Sequence, residues 1–369
     1  MNKLEQLIAE GNHLKATDII VADAQSNFMR INRKLEPYKN FTIQSPYHLL
    51  EQVMEKFDPR TQARYRKNLE EGLDIDCAFS AQSGARVRAN IFVSVKGLEF
   101  TFRLIPEKRM TAEQIGIPVG MLNLARRQGG MILVTGVSGA GKTTTLAAML
   151  DTLNATEKKH ILALEDPIEY IFENRNCVFS QREIYTHSAG YDAALRSAMR
   201  ENPDVILIGE MRDYKTVRAA VELAETGHLV MSTLHTRNAV SSIDRIISMA
   251  TVEESNHLRS MIANQILGVL SQTLLKRKQG GLIAAFEFMA STPAIRNLIR
   301  ENKLQLIYNE ISTGRQEGMT TMEESLLRLV ERDIIALDDA FKNTSKPEVL
   351  KQMLRGSPSV NQLELDAIF

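Results

Sequence analysis

The chain has 369 residues, with 45 basic and 45 acidic side chains and therefore no formal net charge. Its length predicts two or three domains, and its balanced charge argues against a protein that grips nucleic acid mainly by electrostatics. The two cysteines, Cys77 and Cys177, match no paired metal-ligand spacing, so neither a disulfide framework nor a zinc site is expected.

The N-terminal residues include an early acid and lack the apolar core of a secretory signal. No uncharged apolar run approaches the roughly 18–20 residues of a membrane span. The longest one, 261–275, is interrupted by four polar residues: Asn264, Gln265, Ser271 and Gln272. If the protein works at a membrane, we expect partners to dock it there.

Residues 1–105 read as a small α+β domain. Residues 4–9 start a short helix, and strands are predicted from alternating polar and apolar residues. The predicted strands cover 18–21, 28–31, 86–93 and 99–105, with a charged helical stretch at 49–69. Residues 106–116 open with Pro106 and read as a linker.

Residues 117–275 alternate short apolar runs with helical segments. That alternation predicts a parallel sheet with helices on both faces. Residues 276–340 read as mostly helical after one strand-like run, 282–288, and residues 341–369 as a polar, loosely held tail.

A phosphate-binding loop is predicted where the strand-like run 131–135 meets a helix start at Thr144. The sequence GVSGAGKT between them fits the pattern G-x-x-x-x-G-K-[ST], and a strand before it and a helix after it are the required context. The predicted nucleotide-binding residues are Gly136, Ser138, Gly139, Ala140, Gly141, Lys142, Thr143 and Thr144. Lys142 would reach the β- and γ-phosphates, and the Thr143 hydroxyl would hold Mg²⁺. The chain is therefore expected to bind a nucleoside triphosphate.

Acidic residues end two further strands. Glu210 follows the apolar run 205–208 and is the first candidate for activating water, because hydrolysis needs a group that orients the nucleophile. Glu165 and Asp166 end the run 161–164 and could reach Mg²⁺ directly or through water.

Two histidines flank a third apolar run, 229–234. His235 and His228 in these places fit a sensor that reports the phosphate state to a neighbour, although a lone histidine is more often structural.

These segments together resemble the secretion ATPases. DPIE at 166–169, IGEMRD at 208–213, and ETGH at 225–228 with TLHT at 233–236 look like that family's Asp box, Walker B segment and His box, in the family's order. Within the superfamily the chain is most similar to the type IV pilus retraction ATPases of the PilT type. Its C-terminal A-I-R-N-L motif is matched by Ala294, Ile295, Arg296, Asn297 and Leu298. Segments around 16–18 and 29–32 resemble the family's PAS-like domain.

The resemblance implies a RecA-like P-loop core with a PAS-like N-terminal domain and a C-terminal helical region. It implies a homohexamer in the cytoplasm that hydrolyses ATP with Mg²⁺ to drive pilus retraction, docked at the inner membrane on a platform protein. It also implies arginines of the N-terminal domain near the γ-phosphate, of which Arg103 is the best match and Arg88 the second. A paralogous pilus ATPase is a further possible partner.

Several alternatives stay open. The segment 347–354 resembles the tail of the accessory PilU-type retraction ATPase, which allows an auxiliary motor. A pilus-assembly or type II secretion ATPase is disfavoured, because those enzymes carry two CxxC pairs and this chain has none. A nucleic-acid translocase is disfavoured by the zero net charge. A non-hydrolysing regulator is the last alternative.

Overall fold

The computed structural model describes residues 2–22, 27–31, 34–38 and 45–357. The chain divides into two compact units. The first contains residues up to Arg109 together with the segments Asp166–Ile171 and Glu183–His187, and the second contains the rest. Asn32, in the PAS-like resemblance, and residues 358–369 of the predicted tail lie outside the described residues.

The first unit is built on one antiparallel sheet with three helices. Its elements in chain order are α1 (Lys3–His13), β1 (Asp18–Val21), β2 (Asn27–Ile31), β3 (Lys34–Pro37), α2 (Pro46–Met54), α3 (Pro59–Glu70), β4 (Ile75–Ser80), β5 (Arg86–Ser94) and β6 (Gly97–Ile105). The strand order is β3-β2-β1-β6-β5-β4. This is the small α+β domain that the sequence predicts, although the predicted stretch 49–69 is two helices, broken where Asp58 caps α3.

Alternation along β5 and β6 separates an apolar face from a polar one. Val87, Phe100 and Phe102 are fully buried, while their neighbours Arg88 and Arg103 are not. Burying a side chain of this size is worth about 1.5–3 kcal/mol, so the pattern fixes which face packs on the helices. The arginines are thereby placed on the opposite face.

The second unit contains a seven-stranded sheet and the remaining helices. Its elements are α4 (Ala112–Ile115), α5 (Val119–Leu124), β7 (Gly130–Thr135), α6 (Lys142–Thr156), β8 (His160–Glu165), β9 (Val178–Glu183), α7 (Tyr191–Glu201), β10 (Val205–Ile208), α8 (Tyr214–Glu225), β11 (Leu229–Leu234), α9 (Ala239–Ile247), α10 (Val252–Gln265), β12 (Ile266–Lys276), β13 (Leu282–Ala290), α11 (Pro293–Arg300), α12 (Ile307–Thr313), α13 (Met322–Glu331), α14 (Leu337–Asn343) and α15 (Pro347–Arg355). Short 3₁₀ turns cover Leu304–Leu306 and Arg315–Glu317.

The sheet order is β13-β12-β7-β11-β10-β8-β9. Neighbours from β12 to β8 run parallel, and β13 runs antiparallel to β12. Strands β7, β10 and β11 are buried at every residue, as expected when helices cover both faces. The predicted parallel α/β core is confirmed.

Two expected boundaries differ from the structure. The predicted break after residue 275 falls inside β12, and β13 continues the same sheet, so the C-terminal region is not separate from the core. Within the predicted linker, residues 112–115 form α4, because Thr111 and Gln114 make a capping box.

The expectation of a loose tail is wrong for residues 347–355. They form α15, whose Leu350 and Leu354 are buried in a cluster with Leu326 and Ile335. The apolar residues lie four apart, which places them on one face of a helix. Within the residues that the structure describes, no helix combines the length and apolar content needed to cross a bilayer.

Candidate functional site: the carboxyl edge of the parallel sheet

The predicted phosphate loop begins directly after β7 and runs into the start of α6. Gly136 and Gly141 have φ values of 151° and 88°, which favour glycine. A Cβ on Gly136 would lie 2.4 Å from the backbone oxygen of Gln272, so no side chain fits at that position. Helix α6 starts at Lys142, and its unpaired N–H groups and dipole provide a place for an anion.

Lys142 is buried although its ammonium is charged. Its Nζ donates to the carbonyls of Gly136 at 2.8 Å and Val137 at 3.2 Å. Buried charges require such partners, and these place the ammonium inside the loop. Thr143 and Thr144 are half-buried in the first turn of α6, Ala140 is buried, and Ser138 and Gly139 are exposed.

The parallel register aligns the carboxyl ends of four strands. Leu234 of β11 is level with Thr135 of β7, and Ile208 of β10 is level with Leu164 of β8. The residues that follow these strands therefore emerge at one edge of the sheet, beside the loop. Glu210 and His235 are among them, and Glu165 ends β8 at the same edge. The structure therefore places at one edge three residues that the sequence analysis selected from distant segments.

His235 contacts both Lys142 of the loop and Glu210, which follows β10. Its Nδ1 lies 3.3 Å from Lys142 Nζ, and its Nε2 lies 3.2 Å from Glu210 Oε1. An ammonium only donates, so Nδ1 accepts, and Nε2 carries the proton that is donated to Glu210. Arg212 Nε binds the other oxygen of Glu210 at 2.9 Å. These contacts orient the Glu210 carboxylate at the edge of the site.

Glu165 is the last residue of β8 and is buried. Asp166 comes next and is half-buried, in a segment that belongs to the first unit. In the described part of the chain, no three His, Cys, Asp or Glu side chains converge as a metal site. Mg²⁺ commonly takes only one or two carboxylates and completes its shell with water and phosphates, so the donors here fit that ion in company with a nucleotide.

His228 does not join the site. It precedes β11, whereas His235 follows the strand, so the six residues of β11 separate the two histidines. His228 Nδ1 lies 3.0 Å from the carbonyl of Leu223 in the last turn of α8. The same carbonyl also accepts from the backbone N–H of His228 and from Thr226 Oγ1, so the ring contributes to the end of this helix. Within this chain, its predicted role as a phosphate sensor is therefore not supported by its position.

Within the first unit, the predicted arginines lie in a row across the polar face of the sheet. Arg88 and Arg103 are directly opposite each other on β5 and β6, and Arg103 is opposite Asp18 on β1. Arg103 Nε binds Asp18 at 3.0 Å, and Arg30 Nε binds the other oxygen of Asp18 at 3.2 Å. The Arg103 side chain remains 59% exposed, so most of its surface faces solvent.

Arg88 is held more completely. It makes a two-point contact with Asp76 and a 2.9 Å contact with Glu169. Burial lowers its pKa, but the hydrogen bonds and charges of Asp76 and Glu169 outweigh burial and raise that pKa above its usual value. With both carboxylates engaged, Arg88 reads as a structural residue that fixes the segment containing Glu169, and Arg103 is the better candidate for contact with a ligand.

The A-I-R-N-L motif forms α11. Ile295 and Ile299 are fully buried and Leu298 is half-buried, whereas Ala294 and Asn297 are exposed. Arg296 Nε donates to Ser291 Oγ at 3.1 Å. The helical spacing thus separates a packed stripe from a polar face, as the sequence predicts.

Sequence reasoning missed a chain of buried hydroxyls behind the loop. Thr135 Oγ1 lies 2.8 Å from Ser271 Oγ and 3.3 Å from Ser242 Oγ, and Ser242 Oγ lies 2.6 Å from Thr236 Oγ1. These hydrogen bonds connect Thr135, at the end of β7, to Thr236, the residue after His235. Thr135 and Ser271, which are polar residues in otherwise apolar strands, could have indicated this network from the sequence.

A buried carboxylate was missed as well. Glu287 on β13 accepts a 2.7 Å hydrogen bond from the backbone N–H of Ala239, the first residue of α9. It thereby satisfies a helix donor that has no partner within the helix. Glu287 also lines a cavity of about 470 Å³ with Tyr308 and Lys346.

Comparisons with known proteins agree with this geometry. Residues 71–359 match the family model described as type II/IV secretion system protein. The chain is 46% identical over 285 residues to the type IV pilus retraction ATPase PilT of Pseudomonas aeruginosa, covering 77% of this chain and 83% of the relative. It is 29% identical to the type IV pilus ATPase PilU of the same organism, covering 97% and 92%. A crystal structure of the pilus retraction motor PilT with bound ADP superposes with a TM-score of 0.84 at 35% identity, covering 96% of this chain and all of that one.

Proposed function

The chain belongs to the family of type II/IV secretion system proteins, and we propose that it is an ATP-hydrolysing motor that drives type IV pilus retraction. The observation that carries the proposal is the contact series from Lys142 through His235 to Glu210 at the carboxyl edge of the sheet. It joins a phosphate-binding cation, a proton carrier and a carboxylate, which is the set a nucleotide hydrolase needs. The similarity to a retraction ATPase over most of the chain supports the direction of the motor.

In this mechanism Lys142 and the N-terminal N–H groups of α6 bind the phosphates. Glu210 polarises the attacking water and takes up its proton. His235 touches both residues, so a change at the phosphates alters its contacts. Because Asn238 caps α9 only three residues later, His235 is well placed to pass that change to the C-terminal helices.

Mg²⁺ would neutralise charge on the phosphates. Thr143, Glu165 and Asp166 would hold it, directly or through water. The Thr143 hydroxyl lies in the first turn of α6 and Glu165 lies at the same edge of the sheet.

We propose further that the motor is a homohexamer in which Arg103 acts as an arginine finger. Its side chain is 59% exposed and binds Asp18 through Nε, which supports this role over that of Arg88. The ring would work in the cytoplasm against an inner-membrane platform protein, with α11 as a coupling surface.

An auxiliary retraction motor is the second candidate. The match to PilU extends over 97% of this chain, and so it includes the ordered C-terminal helix α15. An assembly or type II secretion ATPase and a nucleic-acid translocase are weaker alternatives, because the chain has neither CxxC pairs nor a net positive charge.

The test is imaging of pilus retraction in a strain deleted for this gene. Hyperpiliated cells without retraction are expected from a main motor, whereas retained retraction with reduced force indicates an auxiliary one. Bald cells would overturn the proposal. Complementation with Arg296→Ala/Asn297→Ala, which spares Ile295 and Ile299, should give a folded ATPase without retraction if α11 couples chemistry to movement.

A further inference from the structure

Gln272 interrupts the apolar sequence of β12 and is buried, with only 3% of its surface exposed. Its Nε2 donates to the carbonyl of Ala140 in the phosphate loop at 2.5 Å. Because a carbonyl only accepts, this contact fixes which end of the amide faces the loop. A neighbouring strand thus holds the loop through one side chain.

The backbone of Gln272 also shapes the loop. Its carbonyl occupies the space that a Cβ on Gly136 would need, at 2.4 Å, and its Nε2 lies 3.2 Å from the Cβ position of Gly141. One residue therefore limits the space at both glycines that bound the loop and also binds the alanine between them.

Stability alone does not explain a glutamine here. Its Oε1 is buried and has no hydrogen-bond partner among the residues that the structure describes. A buried acceptor without a partner costs free energy, and an apolar side chain of similar size would avoid that cost at Oε1. What an apolar residue cannot supply is the donor for Ala140.

We propose that Gln272 is a positioning residue that holds the phosphate loop in its nucleotide-binding shape through the Ala140 carbonyl. The inference rests on the proposed function, because it assumes that the loop binds ATP. Without the bond, the loop samples other conformations, and ATP binding must then select the competent one, which weakens the apparent affinity.

The test compares Gln272→Met with wild type and with Gln265→Met, a control at the end of α10. ATP affinity is measured with a fluorescent nucleotide and stability by thermal unfolding. We expect Gln272→Met to be about as stable as wild type, because loss of the unpaired Oε1 offsets loss of the donor to Ala140. We expect it to bind ATP about threefold to tenfold more weakly, as for one lost hydrogen bond. Wild-type affinity in this variant would overturn the inference, and so would lost affinity that merely follows lost stability.

Gln272→Glu adds a second readout. Its carboxylate cannot donate to Ala140 when ionised but can when protonated. Its ATP affinity should therefore recover as pH falls, while Gln272→Met stays weak at every pH. A pH-independent defect would contradict the proposed bond. If wild type and Gln265→Met bind ATP but neither Gln272 variant differs from them, this inference alone fails; if wild type does not bind ATP, the proposed function fails with it.

Discussion

The carboxyl edge of the parallel sheet and the polar face of the antiparallel sheet both gather charged residues, but they do so differently. At the carboxyl edge, Lys142, His235 and Glu210 lie in the segments that follow three separate strands, and these strands end together. On the antiparallel face, Arg30, Asp18 and Arg103 stand side by side within strands. A parallel sheet collects loop residues at one point, whereas an antiparallel sheet spreads alternate residues over a surface.

The two regions differ in what their charged residues contact. At the edge, the contacts connect groups with different chemical roles around a glycine loop that can admit a phosphate. On the face, arginines are largely matched by carboxylates, and the pairs hold neighbouring strands together instead of surrounding a space for a ligand. The face therefore reads as a scaffold in which Arg103, through its exposure, is the exception.

We expect the largest effect on ATP hydrolysis from a substitution at the carboxyl edge. Lys142→Ala should abolish ATP hydrolysis and weaken nucleotide binding, because the ammonium stabilises the phosphates. Steady-state phosphate release measures the effect, with the exposed Lys215→Ala as a control. Near-normal turnover of Lys142→Ala would show that the loop is not the catalytic phosphate site.

Arg103→Ala tests whether the antiparallel face also contributes to ATP hydrolysis. We expect nucleotide binding to persist and turnover to fall by roughly 10³ or more, as for an arginine finger. Arg30→Ala is the matched control, because it removes a second arginine bound to Asp18. Equal and small effects of both substitutions would make Arg103 structural. Activity regained on mixing Arg103→Ala with Lys142→Ala protein would show action between subunits.

Glu210→Gln tests which acid at the carboxyl edge activates water. The amide keeps the size of the side chain but cannot take up a proton, so ATP should bind while turnover falls by roughly 10²–10³. Rapid-quench and binding assays on the same protein check both parts. If Glu165→Gln shows this behaviour and Glu210→Gln stays active, the two roles are exchanged.

The two histidines extend the contrast to opposite ends of β11. His235→Ala should reduce turnover by at least about tenfold, because it removes contacts with two charged groups, Lys142 and Glu210. His228→Ala should leave turnover unchanged and lower stability by at most about 1 kcal/mol, because the Leu223 carbonyl loses the ring but keeps the residue 228 N–H and Thr226 Oγ1. Steady-state kinetics and urea unfolding of both variants distinguish these outcomes. A kinetic defect in His228→Ala would show that His228 contributes to catalysis.

The sequence predicted the edge well because its strands are short apolar runs and its loop pattern is specific. It missed β3 and β4, because all residues of β3 are exposed and β4 carries Asp76 within its run. It also missed the end of α10 and the start of β12, where Gln265 and Ile266 adjoin without a turn signal.

Contacts between distant segments were beyond the sequence. Asp18 and Arg103 are 85 residues apart, and only the register of β1 against β6 makes them partners. His228 and His235 look equivalent in a linear pattern, but strand direction places only His235 at the carboxyl edge. Side-chain pairing follows from topology, which residue types alone do not specify.

The buried carboxylate that caps α9 makes the stability of the protein depend on proton concentration. Burial raises the pKa of Glu287 to about 7, with the charge of Glu323 acting in the same direction and the Ala239 N–H opposing it. The unfolded chain loses this proton near pH 4.5 and the folded chain near 7, so stability is lost as pH rises through this interval. Glu287→Gln keeps the acceptor without the charge and should add about 3 kcal/mol above pH 7 and little below pH 4.5, measured by urea unfolding. Parallel pH curves for the two proteins would mean that Glu287 ionises in both states alike.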